Sequence, residues 1–151
     1  MIGGNMSSVD KWDRRFIELA EFIAQWSKDP STQVGAVIVR PDKTIASVGY
    51  NGFPRGTDDS EHLYEDKEMK YARVVHAEIN AIISAQHADF KGCTVYVSPL
   101  YPCPQCTAAL IQAGITRVVA RLSNRPDWMD RFKTSKQLMK EAGVEFVVME
   151  L

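Results

Sequence analysis

The chain has 151 residues and a formal net charge of −1, and charged side chains make up 25% of it. This length is typical of one domain, so residues 1–151 are expected to form a single domain. A chain close to neutrality lacks the clustered basic face with which proteins bind phosphate backbones or anionic membranes. The composition therefore favours a small-molecule partner and disfavours nucleic acid and membrane.

Cysteine usage and the start of the chain predict a cytoplasmic protein. Of the three cysteines, Cys103 and Cys106 form a Cys-x-x-Cys pair, which leaves Cys93 without a disulfide partner in the chain. We expect Cys93 to be buried and inert. Residues 1–5 lack the basic and apolar regions of a signal peptide, and no apolar run approaches the ~20 residues that span a bilayer.

A helix and a hairpin come first in the chain. Apolar side chains recur every three or four positions over residues 10–28, which predicts an amphipathic helix that covers one face of a sheet. Pro30 ends this pattern. Residues 34–39 and 44–49 are then predicted to be strands, and the short turn between them favours an antiparallel hairpin.

A loop and an acidic segment follow the hairpin. Residues 51–56 contain two glycines and a proline, which specify a loop of fixed shape. Residues 58–70 carry six acidic side chains against two lysines, and we expect them to form an exposed surface segment. This local acidity further disfavours a polynucleotide partner.

The rest of the chain alternates helices with strands. The predicted elements are a helix over residues 76–86, a strand over 94–97, a helix over 103–113, a strand over 117–122, a helix over 130–142 and a strand over 144–149. Strands separated by single helices should run parallel with right-handed crossovers, while the hairpin adds one antiparallel member. The fold class is therefore predicted to be α/β, as a three-layer α/β/α sandwich with a five-stranded mixed sheet.

Two short motifs carry the chemistry. His76 and Glu78 stand two positions apart, and Cys103 and Cys106 stand three apart, beginning 27 positions after the histidine. Both motifs open predicted helices, whose N-terminal partial positive charge favours thiolates. If the motifs meet, one imidazole and two thiolates fill three of the four positions of tetrahedral zinc and leave the fourth to water. That is the ligand set of a catalytic site, because a structural zinc site is closed by four protein ligands.

Each motif alone has an ordinary alternative. A Cys-x-x-Cys pair also occurs as a redox pair or as half of a structural zinc site, and a lone histidine is commonly a packed core residue. Glu78 alone could be an acidic residue that complements a helix N-terminus. The conjunction is far more specific, because His-x-Glu followed by Pro-Cys-x-x-Cys, with Pro102 as the proline, is the signature of zinc-dependent base deaminases.

These motifs and two further segments give the chain a family resemblance. The segments are His76-Ala77-Glu78, Pro102-Cys103-Pro104-Gln105-Cys106, Val34-Gly35-Ala36-Val37-Ile38 and Gly49-Tyr50-Asn51-Gly52-Phe53-Pro54-Arg55-Gly56. From about Trp12 onward the chain resembles the deoxycytidylate deaminases of the cytidine deaminase superfamily, and the segment around Asn51 narrows the resemblance to that branch. The resemblance implies a five-stranded mixed sheet flanked by helices. It also implies one Zn²⁺ per subunit, since Cys93 alone cannot supply the second, structural zinc of some viral members.

The resemblance also implies an activity. The reaction is hydrolytic deamination of dCMP to dUMP and ammonia, which supplies dUMP for thymidylate synthesis. Glu78 would take a proton from the zinc-bound water, pass it to N3 of the cytosine ring and later deliver a proton to the departing amino group. The backbone N–H of Ala77 would hold the pyrimidine carbonyl, and Asn51 would hydrogen-bond the sugar 3′-hydroxyl. Asn51 has an alternative interpretation as a turn residue that tolerates a left-handed backbone.

The 5′-phosphate of such a substrate needs a cation or backbone donors nearby. Ligands of α/β sheets gather at the carboxyl ends of strands. Arg121, at the end of the fourth predicted strand, and Arg125, just beyond it, are therefore candidates to hold the phosphate. Each of them could equally be an ordinary surface arginine.

Regulation is a further implication of the resemblance. Similar proteins are hexamers activated by dCTP and inhibited by dTTP, with Mg²⁺ accompanying the triphosphate, so we expect a homo-oligomer with deoxynucleoside triphosphate effectors. The glycines of residues 49–56 free the backbone for close approach to phosphates, and an arginine and two aromatic side chains stand beside them. The predicted effector-binding residues are Tyr50, Gly52, Phe53, Arg55 and Gly56. The alternative is a rigid surface loop without a ligand.

Three other functions stay open on the sequence. A deaminase of cytosine, cytidine or guanine shares the zinc motifs, and a requirement for the phosphate would separate it. A tRNA adenosine deaminase or another nucleic-acid editor shares them too, but the neutral charge and the acidic segment disfavour it. A non-catalytic zinc protein would leave Glu78 dispensable.

Overall fold

Helices and strands alternate along the chain much as predicted. The computed structural model describes residues 9–86, 88–121 and 126–150, without the side chains of residues 126–129 and 131. The elements are α1 (Lys11–Ala24), β1 (Gly35–Val39), β2 (Ile45–Tyr50), α2 (Glu61–Glu65), α3 (Lys67–Arg73), α4 (Ala77–Ser84), β3 (Thr94–Ser98), α5 (Pro104–Ala113), β4 (Arg117–Arg121), α6 (Pro126–Ala142) and β5 (Glu145–Met149). Within the described ranges, no helix combines the length and apolar composition that crossing a bilayer requires.

The strands form one sheet in the order β2-β1-β3-β4-β5. β1 runs antiparallel to both of its neighbours, β2 and β3, whereas β3, β4 and β5 run parallel. The parallel part arises because α5 separates β3 from β4 and α6 separates β4 from β5. The predicted hairpin, the parallel pairing and the single antiparallel strand are therefore confirmed.

Helices cover both faces of this sheet, which confirms the three-layer α/β/α sandwich. α1 packs on one face, and α4, α5 and α6 contribute to the core on the other. Every residue of β1 is buried, because this strand has a neighbour on each edge and a helix over each face. The core on the α1 side consists of Phe16, Ile17, Ala20, Val37, Val39, Tyr96, Val119, Val147 and Met149.

Two glycines let helices lie directly on the hairpin strands. A Cβ atom at Gly35 would overlap the backbone carbonyl oxygen of Ala20 in α1, and one at Gly49 would overlap that of Ala77 in α4. Close-packed interiors do not tolerate such overlap without a shift of backbone. Any side chain at position 49 would therefore push α4, and with it the first metal motif, away from β2.

A buried ionic network holds α1 against the sheet. Asp13 is 1% exposed and accepts hydrogen bonds from both terminal nitrogens of Arg117, at 2.8 and 2.9 Å, and from Oη of Tyr96 at 2.6 Å. Burial opposes ionisation of Asp13, but these bonds outweigh it and hold the pKa of its carboxyl below the ordinary value. The carboxylate therefore stabilises the fold at neutral pH, and this contribution is lost as the pH falls through the lowered pKa.

Residues 58–70 are the acidic surface segment that we predicted, since all six acidic side chains are exposed, but the segment is helical. They form α2 and most of α3, and Leu63 and Tyr64 of α2 are buried. Asp66 ends α2 and caps α3, since its carboxylate accepts a hydrogen bond from the backbone nitrogen of Met69 at 3.2 Å. Two buried side chains over so short a span are too few to make a helical period visible among six acidic residues.

Two helix boundaries also differ from the prediction. α1 ends at Ala24 and not at residue 28, because the amides of residues 25–27 bond to carbonyls three residues earlier. α6 begins at Pro126 and not at residue 130. Proline is favoured in the first turn of a helix because an N–H at that position has no acceptor within the helix, and because the φ angle of proline is already helical.

Candidate metal centre and cavity

Both halves of the predicted metal site lie at helix N-termini. α4 begins at Ala77 with His76 as its N-cap, and α5 begins at Pro104 with Cys103 as its N-cap. The sulfur of Cys103 accepts a hydrogen bond from the backbone nitrogen of Cys106 at 3.4 Å, in the manner of a capping oxygen. The starts of the two helices place one imidazole and two thiols close together.

The three side chains are spaced as ligands of one ion. Nδ1 of His76 lies 3.2 Å from Sγ of Cys106 and 3.5 Å from Sγ of Cys103. The three ligand atoms all lie within 4.8 Å of one another. Tetrahedral zinc, with Zn–N near 2.0 Å and Zn–S near 2.3 Å, sets nitrogen and sulfur about 3.5 Å apart. The group therefore fits a zinc ion in both donor chemistry and spacing.

Cys103 has the ionisation behaviour of a metal ligand. A hydrogen bond with Cys106 lowers the pKa of the Cys103 thiol most, burial opposes this, and His76 lowers it further, to about 4. A thiol with this pKa is a thiolate at neutral pH, and the thiolate is the form that binds metals.

Glu78 lies in the first turn of α4, beside the metal group but outside it. Glu78 lines a cavity that also contacts His76 and Cys103, and the residue is only 4% exposed. Burial raises the pKa of its carboxyl to about 7. A carboxyl with a pKa near neutrality can both accept and donate a proton at physiological pH, as a general acid–base group must. The placement is the one predicted for the proton shuttle, and the catalytic role itself stays a prediction.

A cavity of about 410 Å³ opens onto this group, which is within the usual size range for small-molecule sites. Among its lining residues Glu78 and Cys103 are buried, whereas Tyr71 is 68% exposed. The lining residues are Asp29, Thr32, Val34, Asn51, Lys70, Tyr71, Val74, His76, Ala77, Glu78, Leu100, Tyr101, Cys103 and Gln105.

Two of the predicted substrate residues lie in the cavity wall. Ala77 is the first residue of α4, so its backbone N–H is one of those that a helix leaves without an intrahelical partner. Asn51 is buried and its carboxamide links two loops: Oδ1 accepts a hydrogen bond from Val34 N at 2.8 Å and Nδ2 donates to the carbonyl oxygen of Thr32 at 2.9 Å. Asn51 therefore has a structural role in addition to any contact with substrate.

The structure does not bring Arg121 to the cavity. Its guanidinium is paired with Glu21 of α1, on the opposite face of the sheet from α4 and α5. This follows from the alternation of side chains in β4, where Val119 also faces α1 and Ala120 faces the other core. The placement gives no support to a phosphate contact by Arg121, and Arg125 lies outside the described residues.

The predicted effector loop is tied to the first metal motif. Gly52 exchanges two backbone hydrogen bonds, of 3.1 and 2.8 Å, with Val75, the residue that precedes His76. Gly56 has a φ angle of 80°, a conformation that glycine adopts without strain. A displacement of this loop would therefore act on the backbone next to a predicted zinc ligand.

The other predicted effector residues differ in their surroundings. Phe53 stacks on Tyr64 with the ring centroids 3.9 Å apart and the planes within 4°, so this ring already has a partner within the chain. Tyr50 is 41% exposed, and Arg55 is exposed as well. These contacts do not test an effector role, which stays a prediction for all five residues.

Sequence reasoning missed an ion pair in the cavity wall. Nζ of Lys70 lies 2.7 Å from Oδ2 of Asp29, and the two side chains are only 13% and 1% exposed. Lys70 lies in the segment predicted to be exposed, and Asp29 lies just before Pro30, outside both metal motifs. The one local signal is that Lys70 ends the acidic segment six residues before His76.

Comparisons with known proteins agree with a zinc site in this part of the chain. The family model of the cytidine and deoxycytidylate deaminase zinc-binding region matches residues 10–122. An uncharacterized deaminase in the luxG 3′ region of Aliivibrio fischeri is 42% identical over 140 residues, which cover 91% of this chain and 92% of that protein. The deoxycytidylate deaminase of Mus musculus is 42% identical over 141 residues, covering 90% and 78%. The dCMP deaminase of cyanophage S-TIM5, solved in complex with dCMP and dUMP, superimposes with a TM-score of 0.68 at 26% identity, covering 90% of this chain and 95% of that one.

Proposed function

Because the chain belongs to the family of cytidine and deoxycytidylate deaminases with a zinc-binding region, we propose that it converts dCMP to dUMP and ammonia by zinc-dependent hydrolysis. The observation that carries this proposal is that His76 and Cys103 of the metal group and the buried Glu78 line one cavity of about 410 Å³, which is large enough for a nucleotide. The product would supply dUMP for thymidylate synthesis. A cytoplasmic location and a single domain over residues 1–151 belong to the same proposal.

His76, Cys103 and Cys106 would hold the metal, since their donor atoms fit its ligand preferences and spacing. When bound, zinc supplies the Lewis acidity that makes a water molecule nucleophilic at neutral pH. The hydrogen bond from Cys106 N to Cys103 Sγ orients one thiolate before any metal binds. The fixed helix caps thus hold the ligand set in place.

Glu78 would move the protons of the reaction. Its carboxylate accepts a proton from the attacking water and delivers it to N3 of the cytosine ring, which makes C4 electrophilic. Oxygen then adds to C4. Glu78 transfers the remaining proton of the water to the amino group, the C4–N bond breaks and ammonia leaves. A pKa of about 7, caused by burial, suits a group that must accept and donate in turn.

The cavity wall would orient the ring and the sugar. The unpaired donor of Ala77 at the start of α4 suits the pyrimidine carbonyl. An amide oxygen accepts two hydrogen bonds, and Val34 uses one of those of Asn51, so Oδ1 of Asn51 keeps capacity for the sugar 3′-hydroxyl. The bonds that fix Asn51 would pre-organise this contact.

We expect dCMP to be deaminated with a kcat/KM roughly 10²-fold above that of deoxycytidine. The reason is that a remote phosphate gains charge-assisted hydrogen bonds, each worth about 1.5–3 kcal/mol, which can be used to orient the ring. Ammonia release would be measured side by side with dCMP, CMP, deoxycytidine, dCTP and guanine. Equal kcat/KM for dCMP and deoxycytidine, or a preference for guanine, would contradict the proposed substrate.

We further propose a homo-oligomer, a hexamer, that dCTP activates and dTTP inhibits, with Mg²⁺ accompanying the triphosphate. The bond between Gly52 and Val75 supports this, because it couples the effector loop to the backbone beside a zinc ligand. An exposed aromatic surface beside the loop suits a subunit contact: Phe22, Trp26 and Tyr50 are 54%, 51% and 41% exposed and meet edge to face.

Initial rates are expected to depend sigmoidally on dCMP, to become hyperbolic with dCTP and Mg²⁺, and to fall with dTTP. Arg55→Ala should desensitise the enzyme to both triphosphates, because it removes the exposed cation of the loop. Arg14→Ala, at an exposed position of α1, is the matched control. Hyperbolic rates that are indifferent to both triphosphates would reject the regulation and leave the deaminase proposal in place.

A further inference from the structure

Lys70 is a cation held in the cavity wall by a rigid partner. Its ammonium lies 2.7 Å from Oδ2 of Asp29 and 2.9 Å from Oγ of Ser31. The other oxygen of Asp29 accepts hydrogen bonds from the backbone nitrogens of Ser31 and Thr32, at 2.9 and 3.1 Å. The carboxylate cannot turn away without losing these bonds, so the position of the ammonium is fixed in advance.

The surroundings of Lys70 distinguish it from a surface lysine. Its side chain is 13% exposed. Among the described residues that line the cavity, two are basic, Lys70 and the predicted zinc ligand His76. A lysine ammonium has three donors, and Asp29 and Ser31 accept from two of them, which leaves capacity for one further acceptor. The acceptor that suits such a site is an anionic oxygen of a bound molecule.

Lys70 is also less deeply buried than the groups at which the reaction would occur. Its side chain is 13% exposed, whereas Glu78 is 4% exposed and Cys103 is 3% exposed. A nucleotide with its base at the metal group would bring its charged end to this partly exposed ammonium, where the phosphate stays partly hydrated.

We propose that Lys70 binds the 5′-phosphate of the substrate and so determines the preference for a nucleotide over a nucleoside. This inference rests on the deaminase function proposed above. Asp29 is then a positioning residue: it holds Lys70 and lies 3.5 Å from Nδ2 of Asn51, so one carboxylate lies between the proposed phosphate contact and the proposed sugar contact. Lys70 thus takes the role of the phosphate ligand, which the position of Arg121 does not support.

The test compares a phosphorylated with an unphosphorylated ligand in Lys70→Met and Lys70→Arg. In Lys70→Met the ratio of kcat/KM for dCMP to that for deoxycytidine should fall about tenfold to hundredfold, the loss expected for one charge-assisted hydrogen bond. Lys70→Arg should keep more of the ratio than Lys70→Met, because it keeps the charge. Lys28→Met is the matched control, since Lys28 also pairs with an aspartate but is 70% exposed.

A structural role would give a different result. If Lys70 served only to pair with Asp29, Lys70→Met would lower turnover of dCMP and deoxycytidine by the same factor. An unchanged ratio, or an equal loss for both substrates, overturns the proposal. Since Lys70→Met leaves a buried carboxylate without its partner, the double variant Asp29→Asn, Lys70→Met is measured as well. It keeps the site neutral and is expected to show the same fall in the ratio.

Binding separates this inference from the deaminase function. Calorimetric titration of the wild-type zinc protein with dUMP and with deoxyuridine should give a dissociation constant at least about tenfold lower for dUMP, and Lys70→Met should remove most of the difference. If no ammonia forms from dCMP but this difference is found and depends on Lys70, the proposed activity fails while the phosphate site stands. Equal affinities in wild type overturn the phosphate site whatever the turnover.

Discussion

Glu78→Gln is expected to retain zinc and to lose about 10²–10⁴-fold in kcat for dCMP, the range typical of a general acid–base group. The amide has the shape of the carboxyl but can neither take a proton from water nor return one to the leaving group. Glu78 lies outside the group whose donor atoms fit the metal, so the substitution leaves that group intact. Steady-state ammonia release and zinc content per chain are the two measurements.

Glu68→Gln is the matched control, because Glu68 is an exposed glutamate of α3. It should retain both zinc and full turnover. Retention of most activity by Glu78→Gln would contradict the assigned proton transfer, because the reaction would then proceed without this carboxyl. Loss of zinc from Glu78→Gln would mean that Glu78 supports the metal, and the loss of activity could then not be assigned to proton transfer.

Cys106→Ala is expected to lose zinc and to reduce dCMP turnover to background. Cys106 is 1% exposed, its Sγ lies 3.2 Å from Nδ1 of His76, and it is one of the three proposed protein ligands. The variant would leave two ligands for an ion that needs at least three. Metal content by atomic emission and ammonia release would be measured on the same sample.

Cys93→Ala is a stringent control for that experiment. Cys93 is also 1% exposed, and burial raises the pKa of its thiol, so this cysteine lacks the thiolate character that metal binding requires. Its replacement should keep zinc and activity. Chelation of the wild-type protein should abolish turnover, and added zinc should restore it. Zinc retained by Cys106→Ala, or turnover that survives chelation, would reject the assigned metal site.

Local sequence signals predicted the parts of the fold that depend on neighbouring residues. α5 is an example: Cys103 caps it, Pro104 occupies its first position and Gly114 ends it with a φ angle of 104°. Each boundary of this helix is thus marked by a residue type that favours a helix start or a helix end. The parallel strands followed from the helices between them. The candidate metal group was predictable for the same reason, because side chains at helix N-termini appear in the sequence as short fixed spacings.

Features that depend on tertiary contact were not predictable. Asp29 and Lys70 meet only because α3 packs against the loop after α1, and neither residue belongs to a motif. The face of the sheet on which Arg121 lies was not predicted, because side chains at the end of a strand alternate between both faces. A shift of one residue along β4 would move this side chain from Glu21 to the opposite face of the sheet. Position near the carboxyl end of a strand was therefore too coarse a criterion.

The described lining of the cavity comes entirely from residues 29–105, but α6 supports that lining from behind. Phe132 stacks on the lining residue Tyr101 with the ring centroids 4.0 Å apart, and Oγ of Ser135 donates a hydrogen bond of 2.8 Å to the carbonyl oxygen of Pro102, next to the second metal motif. A recombinant that takes its α6 from a distant relative would therefore inherit every described lining residue from its N-terminal parent. It should keep the shape of the cavity only if the new helix also supplies an aromatic ring at position 132 and a hydroxyl at position 135.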